Sequence, residues 1–139
     1  MTTYESDIKT ISSNEEVVFG LLGDLNNLSK LKDNKEFTEK IKDLTTDTDS
    51  CTFSVDQVGK VCFRIIEREP FKTIKFKTEY LPLDANLWIQ LKQVADNDTK
   101  MKLTLKAEIP TMIKLMVDKS LKEGINKIAD VLVQAVNNR

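Results

Sequence analysis

Between residues 51 and 108 the apolar side chains recur at every second position in successive short runs, and this periodicity constrains the fold more than any other feature. Cys51, Phe53 and Val55 alternate with Thr52 and Ser54, and Val61, Phe63 and Ile65 with Cys62, Arg64 and Ile66. Ile74, Phe76, Thr78 and Tyr80 alternate with Lys75, Lys77 and Glu79, and Leu87, Ile89 and Leu91 with Trp88, Gln90 and Lys92. Met101, Leu103, Leu105 and Ala107 alternate with Lys100, Lys102, Thr104 and Lys106. Successive side chains of a strand point to opposite faces, so each run is a strand with one face for a core and one for water. The links Asp56-Gln57-Val58-Gly59-Lys60, Glu69-Pro70, Pro82-Leu83-Asp84 and Asp96-Asn97-Asp98 are short and rich in turn formers. Short links join antiparallel neighbours, which predicts a meander with a single buried face.

After Pro110, a residue suited to a helix start, the period changes. Val117, Leu121, Ile125, Ile128, Leu132 and Val136 follow a helical repeat. Gly124 interrupts it, at about 1 kcal/mol against Ala. Close packing on the sheet, a bend that opens a cavity and a tolerated defect all account for it. Upstream, residues 3–11 read as a first strand, with Tyr4, Ser6 and Thr10 in the phase of Ile8. Ser13-Asn14-Glu15-Glu16 is a capping-box pattern ahead of Val17, Val18, Leu21 and Leu22. Asp24 can cap a second short helix carrying Leu25, Leu28 and Leu31. Residues 32–43 are charged around Phe37 and Ile41 and fit a third short helix or a long loop. The sum is an α+β chain of one domain, 1–139. A curved six-strand antiparallel sheet wraps around a long C-terminal helix, with two or three short helices between strands one and two.

Several stretches carry a resemblance to a known family. They are Ser13-Asn14-Glu15-Glu16-Val17-Val18-Phe19, Asp24-Leu25-Asn26-Asn27-Leu28, Val55-Asp56-Gln57-Val58-Gly59-Lys60-Val61, Ile66-Glu67-Arg68-Glu69-Pro70, Asn86-Leu87-Trp88-Ile89-Gln90-Leu91 and the helix from Glu108 to Ala129. With the element order, they make the chain resemble the START-like helix-grip superfamily (SRPBCC) of polyketide cyclases, lipid-transfer domains and the birch pollen allergen. These stretches look like a small bacterial branch of it. The resemblance covers essentially the whole chain. It implies a hydrophobic cavity between sheet and helix that holds a lipid, polyketide, sterol or similar molecule. It does not imply an activity, because such folds serve binders, transporters and enzymes.

Composition narrows the chemistry. The chain has no histidine, which removes Ser-His-Asp triads, Cys-His dyads and imidazole metal ligands. Its 21 Lys and Arg against 22 Asp and Glu argue against nucleic-acid binding. No apolar run reaches the ~18 residues of a membrane span. The first dozen residues lack the apolar core of a secretory signal, so a cytoplasmic chain is expected. Cys51 and Cys62 have opposite parity in adjacent runs, which puts their thiols on opposite faces and excludes a disulfide. Asp47, Asp49, Asp96 and Asp98 lack the Gly and terminal Glu of an EF-hand and read as turn residues. No metal or other cofactor is expected.

The inward phase supplies the candidate cavity residues Phe63, Ile65, Glu67, Phe76, Thr78, Tyr80, Ile89, Leu91 and Leu103, with Met112 and Met116 from the helix. Gln93 shares the phase of Ile89 and Leu91. Glu67 in an apolar cavity would have a raised pKa and could move protons. Alternatively, standing just before the Glu69-Pro70 turn, it reaches water. Tyr80 beside Pro82 is a proton donor or a rim residue. Met112, Leu115 and Met116, with Met101, either line a mouth or fill the core. Trp88 faces outward with a stripe of lysines at 75, 77, 100, 102 and 106. The leading expectation is a binder of a small hydrophobic ligand or lipid. The alternatives are a polyketide cyclase or dehydratase using Glu67 or Tyr80, with Tyr4 as a further acid/base group, and an interaction module docking through the outer sheet face.

Overall fold

The computed structural model describes residues 2–33, 35, 41–55, 59–79 and 84–137. Among these residues the strands are β1 (Thr2–Glu5), β2 (Lys9–Ile11), β3 (Ile41–Thr46), β4 (Ser50–Val55), β5 (Gly59–Glu69), β6 (Thr73–Thr78), β7 (Ala85–Ala95) and β8 (Asp98–Ala107). All pairings are antiparallel, in the order β1-β8-β7-β6-β5-β4-β3, with β2 also on β8. Helix α1 spans Glu15–Leu22, a 3₁₀ helix Leu25–Asp33, and the long helix α2 Thr111–Asn137.

The meander stands as the alternation predicts, and the sheet is larger than six strands for two physical reasons. The expected first strand breaks at Ser6, whose backbone N–H donates to the Leu103 carbonyl and whose hydroxyl accepts from the Leu103 N–H. The break inverts the phase. Tyr4 and Ser6 are buried, whereas Ile8 is 68% exposed, Thr10 is exposed and Ile11 is buried. The second reason is β3, which begins inside the 32–43 stretch that reads as a short helix or a long loop. Its alternation is masked by a register shift between Lys42 and Thr45, with Asp43 at φ 58°. Such a bulge adds a residue and destroys period two.

Helix α1 is capped by Asn14, whose Oδ1 accepts from the Val17 N–H at 2.9 Å, and not by Ser13. Ser13 is drawn inside, where its carbonyl accepts from the Thr99 hydroxyl at 2.7 Å. Gln93 Oε1 accepts from the Glu15 N–H at 2.9 Å, so a strand side chain satisfies another donor of the helix start. The every-third-residue spacing of Leu25 and Leu28 suits the 3₁₀ helix that forms there, since side chains at i and i+3 eclipse in it.

Directly opposed residues share a face, which sorts the inner side of the sheet into rows. One row runs Thr2, Ala107, Ala85, and the next Tyr4, Leu105, Leu87, Phe76, Ile65. A third runs Leu103, Ile89, Ile74, followed by Met101 with Leu91. Helix α2 packs on β1, β2, β8, α1 and the 3₁₀ helix. Its direction is fixed by polar tethers along the β1–β2 edge. Tyr4 donates to Asp118 (2.7 Å), the Asp7 N–H to Asn126 (2.7 Å) and the Ser12 N–H to Asn137 (3.1 Å), while Lys9 pairs with Asp130 (2.9 Å). Strand and helix numbers rise together, so α2 runs parallel to β1–β2. No helix among the described residues is long and apolar enough to cross a membrane.

Candidate functional site

The helix seals only part of the inner face. Its fully buried residues are Ile125, Ala129, Val131, Leu132 and Val136, all downstream of Gly124. They lie over the deep rows, where Ile74, Leu103 and Met101 are at most 1% exposed. Upstream of Gly124, the inward residues Val117 and Leu121 are only half-buried. On the sheet below, Phe63, Leu87 and Leu105 are likewise half-buried although they share the inner face. The row beyond them carries the small side chains Ala85 and Ala107, which are themselves buried. Small residues below and a lightly seated helix above mark this end as the candidate ligand site.

The sequence candidates fall into distinct groups. Phe63, Ile65, Phe76, Thr78, Ile89, Leu91 and Leu103 stand on the inner face. Of these, Ile89, Leu91 and Leu103 belong to the sealed end, whereas Phe63 and Thr78 border the open one. The Thr78 hydroxyl is engaged with the Ala85 backbone, accepting from its N–H at 3.2 Å. Tyr80 lies outside the described residues.

Glu67 is not inward. A register shift after Ile65 sets Glu67 opposite Lys75 on the outer face, where it is exposed. The same bulge turns Arg68 in, opposite Ile74. Its guanidinium donates to the Gly23 carbonyl at 2.9 Å and pairs with Asp49 at 2.6 Å, tying the end of α1 to the β3–β4 turn. Met112 and Met116 do not line the interior either. They are 81% exposed, because their helical phase is opposite that of Leu121 and Ile125, and Leu115 is 82% exposed. Gly124 is not a close-packing device, since an added Cβ there would meet nothing within 4 Å. Trp88 is on the outer face as expected, with the Lys75 and Lys106 ammoniums 5.3 and 5.7 Å from its ring centre.

Of the polar residues at the open end, Tyr4 is named by the reading of the first strand, whereas Asp118 and Lys114, on the helix, escape it. Tyr4 is 2% exposed, and its hydroxyl donates to Asp118 Oδ1 at 2.7 Å. Burial, then the adjacent carboxylate, pushes the phenol up to about 12. The Asp118 carboxyl is held below the ordinary carboxylate range by the Tyr4 hydroxyl first and then by Lys122, whose Nζ is 3.0 Å from Oδ2. Lys114 adds a further positive charge to this group. A charge at 114 and another at 118 in the core-facing stripe of a helix is the signal that could have found them. Both cysteines are free and buried, and burial pushes the Cys51 thiol up to about 12.

No protein-family model matches the chain, and no curated protein matches it. Solved structures do match. A truncated norcoclaurine synthase from Thalictrum flavum superposes with a TM-score of 0.73 at 9% identity, over 99% of this chain and 94% of that one. A conserved protein from Geobacillus kaustophilus gives 0.68 at 16% identity, over 99% and 93%. The fold is the START-like helix grip. The Aha1 dimer from Colwellia psychrerythraea gives 0.66 at 18% identity, over 99% and 97%. The half-buried Phe63, Leu87 and Leu105 of the inner sheet face and Leu121 of the C-terminal helix belong to the two elements that define this fold.

Proposed function

We propose that this START-like protein binds a small hydrophobic ligand or lipid between the inner sheet face and the upstream half of α2. The observation that carries the reading is the incomplete burial of Phe63, Leu87 and Leu105, which share a face with fully buried residues only a row away. Apolar area left uncovered on a concave face gains about 25 cal/mol per Å² when a ligand covers it. An acid/base role is less well supported. The outward Glu67 cannot reach this space, and the Tyr4 hydroxyl is already engaged with Asp118. Native mass spectrometry of the protein purified from its own host is the test. A bound small molecule released by organic solvent is the expected result. Protein that is empty, and that also fails to take up a neutral fluorescent apolar probe, overturns the reading.

A further inference from the structure

The core-facing stripe of α2 carries Leu121, Ile125 and Leu132, and about two turns upstream of Leu121 it carries Lys114. Positions 114, 121, 125 and 132 fall on one helical line at 3.6 residues per turn. Lys114 is half-buried, while Met112, Ile113, Leu115 and Met116 around it are exposed, as an inward phase requires. The tethers locate it against the sheet. Asp118 stands beside Tyr4, and α2 runs parallel to β1. One turn upstream is about 5.4 Å, or nearly two strand residues. That step places Lys114 by the row Thr2, Ala107, Ala85, where the sheet side chains are small.

The carboxylates around this row are Asp84 and Glu108, exposed at its end, and Asp118 on the helix. Asp118 is the carboxylate nearest to hand, and its oxygens are taken by the Tyr4 hydroxyl and the Lys122 ammonium. Among the described residues no carboxylate lies within ion-pair distance of Lys114. Lys114 therefore stands half-buried beside the Asp118–Lys122 pair without a carboxylate of its own. An incoming anion would give it a charge-assisted hydrogen bond.

Building on the hydrophobic-ligand reading, we infer that the ligand is amphipathic, an apolar chain with one anionic head, and that Lys114 receives the head. The chain lies along Leu105, Leu87 and Phe63. The carboxylate or phosphate sits at the small-residue row, where the Lys114 ammonium donates to it. The Lys122 ammonium, 3.0 Å from Asp118, offsets that carboxylate's charge and limits its repulsion of the head.

Calorimetric titration of the full chain with decanoate, decyl phosphate and methyl decanoate tests the assignment, each against wild type, K114M and K114R. The wild type should bind both anions more tightly than the ester by about tenfold or more, the scale of one charge-assisted hydrogen bond. K114M should bring the three affinities together by weakening the anions alone, and K114R should restore the preference. An ester that binds wild type as tightly as the acid overturns the anionic head and leaves the hydrophobic site standing. So does a preference that survives in K114M. If none of the probes binds, both readings fall. Unchanged thermal unfolding of K114M confirms that the comparison is between folded proteins.

Discussion

Tyr4 and Asp118 join the first strand to the last helix across most of the chain, and their protonation states set how that join responds to pH. The phenol is shifted from 10.0 up to about 12, chiefly by burial and then by Asp118. The folded state thus favours the protonated phenol. Its contribution is complete below the unfolded value and is lost as pH rises through the folded one. The Asp118 carboxyl is shifted down, so its contribution is present above the ordinary carboxylate value and is lost as pH falls through the depressed one. We predict that the difference in urea midpoint between wild type and Y4F is constant near neutrality and shrinks above about pH 10. A difference that persists undiminished at pH 12 would contradict the shift. The outward, exposed Glu67 gives a contrasting prediction. Glu67→Gln should alter stability by less than about 0.5 kcal/mol, as surface changes do, and leave decanoate affinity unchanged. A loss of affinity would return that carboxylate to the interior.

At the scale of elements, what was legible in the sequence is what burial imposes periodically. The rows through Phe76, Ile89 and Leu103 follow from alternation, because a strand between a core and water must repeat every second residue. A bulge is invisible to that argument, since a single inserted residue exchanges the faces of everything after it. This is why Glu67 and Arg68 trade places in β5 and why β3 passes for a loop. The open end was half legible. Phe63 and Thr78 come from the alternation, but Lys114 and Asp118 interrupt an apolar stripe and look like ordinary surface charges until the tethers to β1 fix the helix. Gly124 offers an element-scale prediction. With open space where a Cβ would stand, Gly124→Ala should raise stability by about 0.5–1 kcal/mol through helix propensity alone. A higher urea midpoint with an unchanged denaturant slope is the expected readout. Destabilisation would mean that the helix bends at Gly124 in solution.

For the whole molecule, the consequence of this geometry is an uneven distribution of stability along a single helix. Downstream of Gly124, α2 buries Ile125, Ala129, Leu132 and Val136 against a fully packed sheet, and opening it must expose that core. Upstream, the helix is held mainly by Tyr4 with Asp118 and by the half-buried Leu121 packed against the core. Local opening draws on few buried apolar contacts there, so its free energy lies well below that of global unfolding. The α2 region that forms a wall of the proposed site is thus also the region able to lift from it, which gives a ligand a way in without unfolding the core. Leu132→Ala, in the sealed half, should cost about 2–5 kcal/mol, whereas Met116→Gln on the exposed face should cost less than about 0.5 kcal/mol. Amide exchange makes the division directly visible. Amides of residues 115–122 should exchange measurably faster than those of residues 126–136, and saturating decanoate should slow the first group while leaving the second unchanged. Uniform protection along α2 would show that the whole helix opens as one unit, and entry would then require a path other than its upstream half.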